Sequence, residues 1–329
     1  MNSDGECFRV PEGEILAACR ALYPTTNCVL HVETARATPT IPGLTSLMLR
    51  VSVTARMSDG SEVKIKIIYK RPAMIPKQLE LLGNMELFER EVTYFRDVVP
   101  MLKRRCPRLS LVQCYFCESL TLVLEDLNEN GFSSVLPDIK SLEVAAPYIS
   151  LAHVKLVVRR LAELHAASLG QDWLTVLPQL KADALYDSEV ARLWYRPKTR
   201  RSCEILATVM LQYLDPVQCR KHVDWLLQGD NCFNEISKLS RFVPGELNVL
   251  CHGDCHANNL MFKHDEQGNP TEVKFVDLQV FRYAPPSRDL LYFLYTSTSR
   301  KFRLQHEHEI RALKSPLILT EILLKVVKV

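Results

Sequence analysis

The segment Val249-Leu250-Cys251-His252-Gly253-Asp254-Cys255-His256-Ala257-Asn258-Asn259-Leu260-Met261-Phe262 sets the architecture of this chain of 329 residues. An apolar strand enters, a polar loop of eight residues follows, and a second apolar strand leaves. That strand turns through Asp265-Glu266-Gln267-Gly268-Asn269-Pro270 and returns as Glu272 to Val276, ending at Asp277. Asn259 and Asp277 each lie nine residues from Gly268. A hairpin centred on that glycine sets them opposite each other at one end. The loop holding Asp254 opens at the same end.

An Asp, an Asn and a second Asp therefore converge on one spot, and all three are hard oxygen ligands or bases. The set suits Mg²⁺ with a phosphate, because Mg²⁺ takes few carboxylates and draws its remaining ligands from substrate oxygens and water. It also suits phosphoryl transfer, in which one carboxylate orients or deprotonates a hydroxyl while others hold the metal. A rival reading draws a zinc site from Cys251, His252, Cys255 and His256.

Outward from the loop, the two halves of the chain differ. Residues 11–22 read as a short helix with Pro11 in its first turn. Leu47 to Thr54 alternates, Ser58-Asp59-Gly60-Ser61 is a turn, and Val63 to Lys70 is the return strand. Its Ile65, Ile67 and Tyr69 share one face; Lys64, Lys66, Ile68 and Lys70 share the other. A helix follows over about 78–99, with Phe88, Val92, Phe95 and Val99 as an apolar stripe. Leu111–Phe116 and Leu120–Leu124 read as paired strands. From about residue 140 the pattern turns helical, with Val154, Val158, Leu161 and His165 on one face, and helices at Cys203–Leu214, Pro216–Leu227 and Asp289–Tyr295. The expected fold is α+β and bilobed. A β-rich N-lobe covers residues 1–126 and a mostly helical C-lobe 127–329, with a hinge near Glu125–Asn130 and the ligand in the cleft.

A phosphate-handling site also needs a cation on the small lobe. Lys70 ends its strand on the polar face, with Lys66 as the other candidate. Glu91 follows 21 residues later, in the helical row Leu87, Glu91, Tyr94, Val98. An acid in so apolar a row needs a partner, and a Lys70–Glu91 pair would aim an ammonium at nucleotide phosphates.

Composition narrows the classes. The chain carries 41 Lys+Arg against 38 Asp+Glu, so its net charge is only +3. That argues against a protein that works by neutralising a nucleic-acid backbone. The basic run Arg192, Arg196, Lys198, Arg200 and Arg201 reads as a solvated loop. The eleven scattered cysteines read as structural free thiols, Cys114-x-x-Cys117 included. The first residues show no signal-peptide pattern and no stretch is apolar enough for a membrane span, so the expected compartment is reducing and cytoplasmic.

Residues 251–262 followed by Val276-Asp277-Leu278-Gln279 closely resemble the CHK kinase-like (ecdysteroid kinase-like) family, relatives of the choline and aminoglycoside kinases. Leu87–Phe95, Leu124–Leu127 with Gly131-Phe132, Leu161–Ala166 and Ser287–Leu290 add to the likeness, which runs from about 40 to 305. The resemblance implies a protein-kinase-like fold and an ATP- and Mg²⁺-dependent phosphotransferase acting on a small-molecule alcohol, steroid-like or xenobiotic. It implies Asp254 as catalytic base, Asn259 and Asp277 as metal ligands, and Lys70 with Glu91 at the phosphates. Glu125, Asp126 and Leu127 would form the hinge whose backbone meets adenine, while His252 and Asp289 brace the loop. The phosphate loop falls near Gly43 and Ser46, without a glycine-rich pattern. The sequence has Asp-Leu-Gln where the family usually has Asp-Phe-Gln; family members usually continue for many residues past the position of Arg303, and here the apolar stretch from Lys314 to Val329 has no obvious counterpart. Alternatives are a catalytically inactive nucleotide- or ligand-binding relative and a choline- or ethanolamine-type kinase; a protein kinase is least compatible with the motifs.

Overall fold

The computed structural model describes residues 9–37, 46–72, 87–135 and 149–313. Gly43 and the 314–329 tail lie outside the described residues.

Helix α1 (Glu12–Leu22) leads into strands β1 (Thr26–Arg36), β2 (Ser46–Met57) and β3 (Glu62–Pro72). The β2–β3 pair is antiparallel and in register throughout, from Ser46 opposite Pro72 to Arg56 opposite Glu62. Gly60 supplies the positive φ of 87° that the tight turn needs. Strands β4 (Cys114–Glu118) and β5 (Thr121–Glu125) complete an antiparallel sheet of order β1-β2-β3-β5-β4.

The alternation along β3 decides what each face of this sheet does. Ile65, Ile67 and Tyr69 pack with Leu49, Val51, Val53 and Val123 under Ile15, Ala18 and Cys19 of α1. On the opposite face Ile68, Leu122 and Leu124 join Phe88, Val92 and Phe95 and run on into the core of the C-terminal part. Lys70 belongs to that second face.

The helix over the second face runs as α2 (Leu87–Thr93), one π-helical turn (Tyr94–Val98) and α3 (Val99–Arg105). It continues six residues past the expected end at Val99. Pro100 has no N–H and its ring crowds the preceding turn. The wide turn just before it, where the Val99 N–H donates to the Tyr94 carbonyl, carries the chain past that position. Both the Phe88–Val92–Phe95 stripe and the Leu87–Glu91–Tyr94–Val98 row are buried.

A turn over residues 127–131 joins β5 to β6 (Phe132–Ser133), which pairs with β8. The C-terminal part is built on α4 (Leu151–Ser168), capped by the Ser150 side chain and burying Val154, Val158, Leu161 and His165. Around it lie α5 (Trp173–Val176), α6 (Glu189–Tyr213), α7 (Pro216–Leu227), α8 (Asn231–Leu239), α9 (Ser287–Ser297) and α10 (Arg300–Leu313). Two small sheets sit among them. One has the order β6-β8-β9, with β8 (Leu260–His264) and β9 (Pro270–Phe275); the other pairs β7 (Val249–Cys251) with β10 (Arg282–Ala284). The fold is thus α+β, with a β-rich N-terminal sheet and a helical C-terminal part.

One local reading is corrected. The basic run is not a loop but part of α6, which continues through Pro197. Its charges find partners at helical spacing and on α8's leading turn: Arg201 with Glu204 at 3.0 Å, and Arg196 and Arg200 with Asp230 at 3.4 and 3.8 Å. Lys198 sits 4.1 Å from the centre of the Trp194 ring. Among the described residues, no helix is long and apolar enough to cross a membrane.

Candidate functional site

The β8–β9 hairpin carries the loop residues to the sheet. Leu260 pairs with Phe275, but a register shift falls between Lys263 and His264. The strands leave the turn with His264 opposite Pro270, centred on Gln267 rather than Gly268, and the extra residue on β9 brings Val276 opposite Asn259, whose carbonyl accepts from the Val276 N–H at 3.0 Å. Val276, not Asp277, stands opposite Asn259. Asp277 lies one step beyond with φ 64°, a left-handed conformation that costs a non-glycine residue about 1 kcal/mol. In that conformation its carboxylate accepts from Lys70 Nζ at 3.1 Å and lies 3.5 Å from Gln279 Nε2.

Lys70 enters from the central strand β3, flanked by Met48 on β2 and Leu122 on β5. Its ammonium, 4 % exposed, also donates to Glu91 at 2.6 Å, and the Leu278 N–H donates to the same Glu91 carboxylate. Burial alone would push the lysine pKa down; the Asp277 and Glu91 carboxylates outweigh it and hold the pKa above its ordinary value. The ammonium thus lies between a fully buried Glu91, whose pKa burial pushes up, and the half-buried Asp277 carboxylate. Lys66 does not take part: it is exposed and pairs with Glu129 at 2.8 Å.

The loop between β7 and β8 is held from behind. The Asp289 carboxylate on α9 accepts the backbone N–H groups of His252 at 2.7 Å and Gly253 at 2.9 Å, and His165 Nε2 lies 3.0 Å away. Burial opposes ionisation of Asp289, but these partners lower its pKa to about 2. Gly253 has φ 87°, and a Cβ there would collide with the Val280 carbonyl. His252 Nε2 faces the Val276 carbonyl at 3.1 Å, and its Nδ1 accepts the Asp254 N–H at 3.3 Å. With both ring nitrogens committed to backbone, His252 is not free to ligate zinc. Among the described residues the one grouping of metal-ligand type is instead His165, Cys251 and Asp289, whose carboxylate already serves the loop. The zinc alternative therefore fails.

Asp254 projects from this braced loop. Its Oδ1 accepts the Tyr292 hydroxyl at 2.7 Å, and Asn259 Nδ2 donates to its Oδ2 at 3.2 Å and to its backbone carbonyl at 2.9 Å. Burial would raise its pKa, but His256 and Tyr292 hold it below the ordinary value, so the group is a carboxylate at neutral pH. With Asn259 Nδ2 so engaged, Asn259 Oδ1 is left as a neutral oxygen donor. With the carboxylate of Asp277, one residue past the Val276 that pairs with Asn259, it is of the oxygen-donor type that suits a hard divalent cation such as Mg²⁺.

The segment between the two halves uses its side chains structurally. Glu125 is buried and accepts from Lys274 Nζ, the Gln113 N–H at 2.8 Å and Asn130 Nδ2 at 2.9 Å. Asp126 accepts from Arg50 Nε at 2.5 Å and caps the Asn128 N–H at 3.1 Å. The Leu127 carbonyl closes the turn onto Asn130 and Phe132. Ser46 is buried at the start of β2 opposite Pro72, two residues beyond Lys70.

Tyr292 escaped the sequence reading. Its signal is positional: it follows Asp289 by three residues on α9, so one helix face carries both the brace of the loop and a donor to its aspartate.

The sequence profile of the ecdysteroid kinase-like family matches residues 42–313, most of the chain. Comparison with curated proteins gives no match.

Proposed function

Because the chain belongs to the ecdysteroid kinase-like family, we propose that this kinase-like protein is an ATP-dependent phosphotransferase acting on a hydroxyl of a steroid-like or xenobiotic alcohol. Residues 1–126 and 127–329 act as the two lobes, with ATP between them. The observation that supports this reading best is the Lys70 ammonium, 2.6 Å from Glu91 and 3.1 Å from Asp277. It ties the central strand, the helix and the end of the catalytic hairpin together where phosphates would lie.

Each residue then has one task. Lys70, fixed by Glu91, offers its charge to the nucleotide phosphates. Asn259 Oδ1 and the Asp277 carboxylate hold Mg²⁺, which when bound supplies neutralisation of the phosphate charge. Asp254 accepts a hydrogen bond from the acceptor hydroxyl and aligns its oxygen for in-line attack. A carboxylate this acidic is a weak base, so orientation is its first contribution and proton acceptance follows as the new O–P bond forms. The Glu125–Leu127 backbone borders the adenine, and Gly43 and Ser46 are assigned to phosphate binding. His252 and Asp289 keep the loop in place.

A mass-spectrometric screen tests this directly. Purified protein and Mg·ATP are incubated with mixed hydroxylated steroids and plant phenolic glycosides. The expected result is a mass gain of one phosphoryl group on an alcohol, abolished in Asp254→Asn. Bound Mg·ATP with no product across the panel would point instead to a non-catalytic binding relative.

A further inference from the structure

Beside the Lys70–Glu91–Asp277 cluster, Asp254 has a second set of neighbours. Tyr292 contacts it directly at 2.7 Å. Tyr186 and Tyr195, with ring centres 6.0 Å apart, are close enough that the Asp254 charge adds to burial in raising both their pKa values. Tyr195 packs with Leu185 and Val280 in a small apolar cluster. Over the Tyr292 ring, 5.7 Å from its centre, lies the guanidinium of Arg288.

A buried guanidinium nitrogen without a hydrogen bond recurs at Arg160, Arg241 and Arg282, each of which has a carboxylate partner; Arg288 differs in having none among the described residues. Arg282 pairs with Asp183 at 2.9 Å, and Arg90 donates to the Phe281 carbonyl at 2.8 Å. Arg288 Nε is shut off from solvent without a hydrogen-bond partner, and no carboxylate among the described residues pairs with its guanidinium. A half-desolvated cation with an unmet donor, one tyrosine ring from the proposed reacting centre, is poised for an anion that arrives with the ligand.

We propose that Arg288 recognises an anionic group on the acceptor, which is therefore an alcohol that also carries a carboxylate or sulfate, with about one ring between the anion and the reacting hydroxyl. The inference rests on the alcohol-kinase reading and narrows its substrate class. The apolar surface at Leu185, Val280 and Tyr195 takes the body of the molecule; the guanidinium fork takes the two oxygens of the anion.

The test uses the full chain and a set of hydroxy acids, headed by para-(hydroxymethyl)benzoate, each paired with its methyl ester. In the unmodified protein kcat/KM with Mg·ATP should favour the acid over the ester by roughly tenfold or more, the contribution of charge-assisted hydrogen bonds. Arg288→Met should reduce that acid-to-ester ratio by roughly 10- to 100-fold, and Arg288→Lys should restore part of it. Equal turnover of acids and esters by the unmodified protein overturns the inference and needs no variant. So does an Arg288→Met loss equal on acid and ester, which would assign the arginine to the transferred phosphoryl group. Calorimetric titration with the acids alone separates the two readings. Arg288-dependent binding without phosphorylation sinks the kinase reading and keeps this one; phosphorylation without acid preference does the reverse.

Discussion

Two antiparallel hairpins bring the charged groups together, and they do it by opposite means. The β2–β3 hairpin is regular along its whole length, and Lys70 falls on the inner face simply because side chains alternate. The β8–β9 hairpin is short, loses register at Lys263/His264, and ends in a left-handed aspartate. A residue delivered by a regular ladder is fixed by every pair before it. A residue delivered past an irregularity is fixed by what surrounds it: Lys70, Gln279 and the Val276–Asn259 bond.

The contrast predicts unequal responses to substitution. Lys70→Met leaves the buried Glu91 carboxylate uncompensated and takes a partner from the half-buried Asp277, so it should destabilise by about 3 kcal/mol in urea titration and abolish nucleotide binding. Unchanged stability would mean that the cluster is not desolvated as described. Asp254→Asn should lower turnover more than about a hundredfold while the melting temperature barely moves; unaltered turnover would remove Asp254 from the chemistry.

Asp289→Asn should cost about 2 kcal/mol at neutral pH, because a pKa lowered from 3.8 to about 2 is stabilisation that the ionised group contributes. The sign is that of a depressed carboxylate: the contribution is complete above the unfolded-state value near 4 and disappears as pH falls through about 2. Acid titrations of the two proteins should therefore converge below that range and separate above it.

At Asp277, Asn and Ala differ in a useful way. Both remove the charge, but Asn tolerates left-handed backbone and Ala does not. Asp277→Ala should be less stable than Asp277→Asn by about 1 kcal/mol, a direct reading of the strain at the irregular hairpin's end. Lys66→Ala, on the regular hairpin but exposed, should change stability by no more than about 0.5 kcal/mol.

The same contrast separates what the sequence revealed from what it concealed. Period-two alternation made β2 and β3 readable and put Lys66 and Lys70 on one face; the burial of Lys70 and the exposure of Lys66 chose between them. Counting from Gly268 found the right hairpin, yet missed its register by one. The strands leave the turn with His264 opposite Pro270, centred on Gln267 rather than Gly268, and the extra residue on β9 takes back only half of that offset; neither has a compositional mark. Loop and hairpin were legible because each needs particular residue types, whereas the brace at Asp289 came only with the family resemblance. Tyr292 and Arg288 were not, since tyrosine and arginine on a helix face serve many purposes until the partner is seen. The basic run misled because Pro197 and a crowd of like charges look like a helix breaker, whereas acids at helical spacing and Asp230 offset them.

The π-helical turn at Tyr94–Val98 has a consequence for engineering this scaffold. It inserts one residue between the part of the helix that holds Glu91 and the part that seats Leu102, which is 0 % exposed. Were the same residues to run on as an uninterrupted α-helix, with no wide turn to absorb the surplus, everything beyond it would swing by about 100°. Leu102 would leave its socket while Glu91 kept its place. The surplus residue thus acts as a phase adjuster: it lets one rod satisfy two unrelated alignments, a charge at one end and a hydrophobic anchor at the other.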